Sequence, residues 1–138
     1  MKLFIIIAGL LMLGACTGKT EGFVLKGELE GAPDDHWVFL TNTGQTHYYD
    51  STRLKNGRFE FKGKVDSPEL RCITYFKDPS QRIYGWDKIM ELPIYVENST
   101  IRVSLPFAGL PSKLEKEVPG NLRVEGSHAH DLYAKYKE

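Results

Sequence analysis

Leu54-Lys55-Asn56-Gly57-Arg58-Phe59-Glu60-Phe61-Lys62-Gly63 is the stretch whose reading decides the fold class. Asn-Gly is the pair a two-residue type I′ turn asks for, because both residues tolerate positive φ. Before it, His47 to Leu54 reads as a strand. After it, Arg58 to Val65 reads as another, with Phe59 and Phe61 on one face and Arg58, Glu60 and Lys62 on the other. The stretch predicts a β-hairpin with one apolar face.

The same period of two extends outward. Phe23, Leu25, Gly27 and Leu29 alternate with Val24, Lys26, Glu28 and Glu30, the pattern of a half-buried strand. Gly31-Ala32-Pro33-Asp34-Asp35 breaks it as a turn. His36-Trp37-Val38-Phe39-Leu40 is apolar on both faces, which predicts a central strand and puts Trp37 in the core. Downstream, Leu70 to Phe76, Met90 to Val96 (with Pro93 at its start or on an edge), Ile101 to Leu105 and Leu122-Arg123-Val124 complete the count. Pro106 to Pro119 reads as a long loop. Ser127 suits a helix N-cap, and His128 to Glu138 carries helix formers. About eight short strands at this spacing predict a mainly β protein: a single antiparallel β-sandwich or open barrel with a C-terminal helix.

The N-terminus sets the expected address. Met1-Lys2 supplies a positive charge, Leu3 to Leu13 is apolar apart from Gly9, and small residues follow. This is the grammar of a cleaved secretory signal peptide. The apolar run falls short of the roughly 20 residues a spanning helix needs. The expected organisation is a signal peptide over residues 1–15, a tether over 16–21, a β-domain over 22–126 and a helix over 127–138.

Composition narrows the function. The 18 basic residues balance the 18 acidic ones, and loss of Lys2 with the signal leaves a net charge of −1. Nothing in that balance favours nucleic acid, and it argues against electrostatic capture of an acidic ligand. Of the two cysteines, Cys72 sits in a strand-like run, where a buried apolar role is expected. Its neighbour Arg71 falls on the opposite strand face.

Two resemblances follow from these residues. Leu13-Gly14-Ala15-Cys16 resembles the lipobox of bacterial lipoproteins. That resemblance implies diacylglycerol on Cys16, cleavage before it and acylation of the new N-terminus. Each buried methylene contributes about 0.8 kcal/mol, so two or three chains hold a protein on a membrane almost permanently. Thr rather than Asp at position 17 implies the periplasmic face of an outer membrane.

The second concerns the domain. Phe23-x-Leu25-x-Gly27-x-Leu29, Val38-x-Leu40, Asn56-Gly57-x-Phe59-x-Phe61-x-Gly63, Tyr95-Val96-Glu97 and Val124-x-Gly126-Ser127 occur in that order. Together they resemble the N-terminal β-domain called domain of unknown function 4369. That domain usually precedes a thioredoxin-like thiol–disulfide oxidoreductase domain in lipoproteins of Bacteroidota-type bacteria. This sequence has no Cys-x-x-Cys and no thioredoxin-like portion after Gly126-Ser127, so the resemblance implies the accessory domain without the redox activity.

Catalytic signals are weak. Cys72 is the single cysteine of the β-domain, so no second thiol there could resolve a mixed disulfide. His128 and His130 are two apart on a predicted helix and so do not share a face; with Asp131 they read as surface and cap, not a metal site. Gly126-Ser127-His128 lacks the nucleophile-elbow pattern, and Asp34-Asp35-His36 reads as a polar turn. The residues singled out for recognition are Arg82, Tyr84, Trp86 and Lys88, in the irregular stretch Lys77 to Lys88, because aromatics and Arg anchor interfaces. The sequence therefore predicts a non-enzymatic lipoprotein without a cofactor or metal. It would bind or position a periplasmic protein linked to thiol–disulfide chemistry. The alternatives are a small-ligand binder, with a pocket between the long loops, and a remnant or subunit of a thioredoxin-like oxidoreductase.

Overall fold

A computed structural model describes residues 21–76, 89–110 and 119–137. They form eight strands, β1 (Phe23–Glu30), β2 (Trp37–Thr41), β3 (Tyr48–Arg53), β4 (Arg58–Gly63), β5 (Glu69–Phe76), β6 (Ile89–Val96), β7 (Thr100–Pro106) and β8 (Arg123–Glu125), and then helix α1 (His128–Tyr136). A 3-10 turn follows β7 at Phe107–Gly109. The strands make two four-stranded sheets, ordered β4-β1-β7-β8 and β3-β2-β5-β6. Of the two architectures expected, the sandwich is the one formed. One pairing departs from the antiparallel expectation: β1 and β7 run parallel, with Lys26 opposite Arg102 and Glu28 opposite Ser104.

The core lies between the sheets. Phe23, Leu25, Leu29, Phe59, Phe61, Ile101, Val103 and Leu105 from the first sheet meet Val38, Leu40, Ile73, Tyr75, Leu92, Ile94 and Val96 from the second. Alternation explains the first sheet, since β1 buries every second residue and exposes most of the others. Two glycines shape it further. Gly27 lies opposite Phe59, and Gly63 opposite Phe23. A Cβ on Gly27 would sit 1.9 Å from the Phe59 ring, and one on Gly63 would sit 2.7 Å from the Phe23 ring. Each aromatic ring thus lies across the bare backbone of its cross-strand glycine, and the two pairs lock β1 to β4 in register.

The Asn56-Gly57 turn forms as expected, but the hairpin does not. Asn56 and Gly57 both take positive φ, 53° and 71°, and Lys55 and Arg58 exchange both backbone bonds at 3.0 Å. Beyond that bridge the strands part into different sheets. Leu54 N donates to His36 O at 2.9 Å, drawing β3 onto β2, while Leu29 N donates to Gly57 O at 2.6 Å, drawing β4 onto β1. The physical reason is the apolar pattern. β3 reads Tyr-Tyr-Asp-Ser-Thr-Arg and is exposed along most of its length, so it offers no surface for Phe59 and Phe61, whereas β1 does. The turn is a corner of the sandwich.

Trp37 is also placed differently from expectation. It opens β2 only half-buried, with the Arg53 guanidinium 4.8 Å from its ring centre. Its parity explains this: Val38 and Leu40 take the inner face, so Trp37 and Phe39 take the outer one. The strand itself is central and Pro93 lies on an edge strand, as expected.

Candidate functional site

Cys16 and the recognition residues Arg82, Tyr84, Trp86 and Lys88 lie outside the described residues, as does most of the long loop after β7. The remaining sequence candidates are all placed. Cys72 is buried in β5, opposite Thr41 on one side and Pro93 on the other. Arg71 does take the opposite face. Its guanidinium lies 3.8 Å from the Tyr49 ring centre and 5.3 Å from that of Phe23, and Nη2 donates to Glu69 Oε1 at 3.0 Å. Flat cationic groups stack well on aromatic faces, which explains how this charge is tolerated at the margin of the core.

Ser127 is fully buried. Its Oγ accepts from His130 N at 3.1 Å and donates to Tyr95 O at 2.8 Å, so the cap of α1 is also its tie to β6. Glu97 adds a second tie, with Oε1 accepting from Ala129 N at 3.0 Å. A carboxylate there also meets the positive end of the helix dipole. His128 is exposed and His130 buried, so the two histidines do diverge. His130 Nδ1 faces Tyr95 N at 3.4 Å, and burial pushes its pKa below the ordinary value, with Asp131 opposing and Lys137 adding to the shift. Among the described residues, no three His, Cys, Asp or Glu side chains come together as a metal site.

His36 and Asp34 are used locally. The His36 ring stacks on Tyr75, and Tyr75 Oη shares a 2.5 Å hydrogen bond with His36 Nδ1. Tyr75 is one of the most buried side chains, and desolvation raises its pKa. Asp34 Oδ1 accepts from Asn56 N at 2.9 Å, joining two turns.

The feature missed from the sequence is on the outside of the first sheet. The registers place Glu60, Lys26, Arg102 and Glu125 in one row across β4-β1-β7-β8, and Arg58, Glu28, Ser104 and Arg123 in the next. A groove of about 790 Å³ opens over these rows and reaches Thr52, Arg53, Lys55 and Asn56 at the corner turn. Six cationic side chains line it, Lys26, Arg53, Lys55, Arg58, Arg102 and Arg123, against three glutamates. The chain-wide balance concealed this local excess. Alternation marked each outward residue, but the parallel β1/β7 register that assembles them had no local signal.

Among the described residues, no helix is long and apolar enough to cross a membrane. No curated protein and no solved structure matches the chain. A family model described as a domain of unknown function (DUF4369) matches residues 23–133, from the first residue of β1 into α1. The ordered strand residues and the Gly126-Ser127 cap therefore have their common explanation: the chain belongs to the DUF4369 family.

Proposed function

We propose that this chain is a non-catalytic, lipid-anchored β-domain, held through Cys16 at the periplasmic face of an outer membrane. It binds or positions a protein partner linked to thiol–disulfide chemistry. The observation that carries the reading is how its reactive side chains are used. Ser127 Oγ caps α1 and ties it to β6, His36 is bonded to Tyr75, His130 packs under the helix and Cys72 is buried in a central strand. Among the described residues, these four candidates for nucleophile or base serve the fold.

The contact residues are Arg82, Tyr84, Trp86 and Lys88. Phe76 and Ile89, the described residues on either side of positions 77–88, are paired in register at one end of the second sheet. A connection that leaves and returns at one point of a rigid scaffold suits recognition. The test is photo-crosslinking in the native envelope with the probe at position 86 and lipidation intact. A single dominant adduct with a thiol–disulfide protein is expected, lost in the Tyr84→Ala/Trp86→Ala variant. An unchanged adduct in that variant would remove the loop from the reading, and insulin reduction by the chain alone would remove its non-catalytic part.

A further inference from the structure

The outer face of the first sheet carries an arrangement that the stability of the fold does not ask for. Lys26 and Arg102 are directly opposed across the parallel pair β1/β7, near the middle of the sheet. Adjacent strands lie about 4.8 Å apart, and like charges directly opposite each other destabilise a sheet. Glutamates flank the pair but do not neutralise it at close range. Among the described residues the ion pairs are Lys62–Glu60 at 3.4 Å and Arg71–Glu69 at 3.0 Å. Glu60 thus turns along its own strand to Lys62, and among the described residues neither Lys26 nor Arg102 has a carboxylate within 4 Å. Ser104 supplies a hydroxyl two residues along β7 from Arg102. Arg58 and Arg123 close the groove from its two edge strands.

We propose that this groove binds a phosphate monoester carried by a small polar molecule, with the phosphate seated between Lys26 and Arg102. Two adjacent cations match a dianion better than a single carboxylate. The guanidinium of Arg102 offers a fork of donors that fits phosphate oxygens, and Lys26 acts as a point charge. The Ser104 hydroxyl donates a third bond. Arg58 and Arg123, a row away, supply longer-range attraction. The volume of about 790 Å³ falls within the range of roughly 300–1,000 Å³ typical of small-molecule sites. Most lining residues are charged or polar, yet their aliphatic stems and Phe59 leave much of the surface apolar, so the remainder of the ligand is of mixed character, as in a sugar phosphate with its polar hydroxyls and apolar C–H face. This site is separate from segment 77–88, and its failure would leave the partner-binding reading untouched.

The test is an amide NMR titration of the full chain in maltoside micelles with inorganic phosphate, ionic strength being held constant with chloride. Saturable shifts are expected at Lys26, Arg102 and Ser104. They should vanish in the Lys26→Gln/Arg102→Gln variant, whose melting temperature should not fall, and saturation should come at lower phosphate in Glu28→Gln. A parallel titration with acetate should saturate later or not at all. Shifts that never saturate, that spread over all exposed lysines, or that persist in the double variant would overturn the proposal. Acetate saturating the same amides at lower concentration would overturn the phosphate assignment.

Discussion

The two sheets of the sandwich use their outer faces in opposite ways. On the first, Lys26, Glu28, Arg58, Glu60 and Arg102 are exposed in the gaps between buried residues. On the second, Phe39, Thr41, Cys72, Thr74 and Phe76 are as buried as the inner-face residues Val38, Leu40, Ile73 and Tyr75 beside them. A strand buried on one face is free to spend every other position on charge. A strand buried on both must be apolar throughout, or must pair the polar atoms it keeps. The outer-face hydroxyls of β2 and β5 follow this rule, since Thr41 Oγ1 and Thr74 Oγ1 meet at 3.0 Å across the two strands; Arg71 Nε, on the inner side of β5, is buried without a hydrogen-bond partner among the described residues. Polar chemistry therefore collects on the first sheet and on the exposed edge strand β3, and the paired strands β2 and β5 act as the closed scaffold. Helix α1 belongs to that closure, because it docks on β6.

The same charge placed on both outer faces should separate the two sheets most strongly. Thr74 and Ser104 are hydroxyl residues at outer positions of central strands, one fully buried and one half-buried. Thr74→Asp should cost about 3–5 kcal/mol, the scale of an uncompensated buried charge. Ser104→Asp should change stability by no more than about 0.5 kcal/mol. Urea unfolding of both variants measures this, and equal costs would mean that the second sheet is open to water on its outer side.

A second test addresses how the first sheet builds its inner face. Gly27→Ala sets a methyl group against the Phe59 ring and should cost about 1–3 kcal/mol through overpacking. Phe59→Leu made in that background should recover part of the loss. The two changes would then be non-additive in a double-mutant cycle, as expected of residues in contact. Strict additivity would show that the ring does not lie over the glycine.

The helix that covers β6 should come next in size. Ser127→Ala removes a cap and a buried donor together, at about 1–2 kcal/mol. Amide exchange at His130 should rise with it, because His130 N loses its acceptor. His130 adds a pH response of smaller amplitude. Its folded pKa is lowered by burial first, so the unfolded chain takes up the proton at a higher pH than the folded one. Its contribution to stability is complete above the ordinary value of 6.5 and is lost progressively as pH falls from there through the lowered folded value. A denaturation series from neutral to mildly acidic pH should show the loss, and His130→Gln should flatten it. An unaltered slope in that variant would assign the acid sensitivity elsewhere.

These contrasts also show what a linear sequence can and cannot convey. Local rules worked where one segment determines its own conformation. Phe23 to Glu30 alternates and is half-buried, Asn56-Gly57 turns with positive φ, and Ser127 caps a helix. They failed where the outcome depends on a choice of partner. The turn at Asn56-Gly57 was legible, but its strands diverge because Phe59 fits over Gly27 of β1 and β3 has nothing comparable to offer. The charged groove was invisible for the same reason. Lys26 and Arg102 are far apart in sequence, and only the parallel β1/β7 register sets them side by side. Hydrophobicity alone does not give parity: the strand of Trp37 is central, yet its own position faces outward.

The smallest expected effect bears on that groove and runs against the usual direction of mutation. Lys26→Gln removes one of two like charges held directly opposite each other on neighbouring strands. Without ligand, stability should rise by about 0.2–1 kcal/mol, the range of cross-strand pair energies, and the gain should shrink in high salt as the repulsion is screened. Arg102→Gln should behave alike. The double variant should gain less than the sum, because the second substitution no longer relieves a repulsion. If either single change destabilises instead, the flanking Glu60 and Glu125 already neutralise the pair, and the exposed face of the first sheet is a balanced solvated surface. If the gain appears, the fold retains an unfavourable pair, the kind of pair that an anion bound on this face would offset.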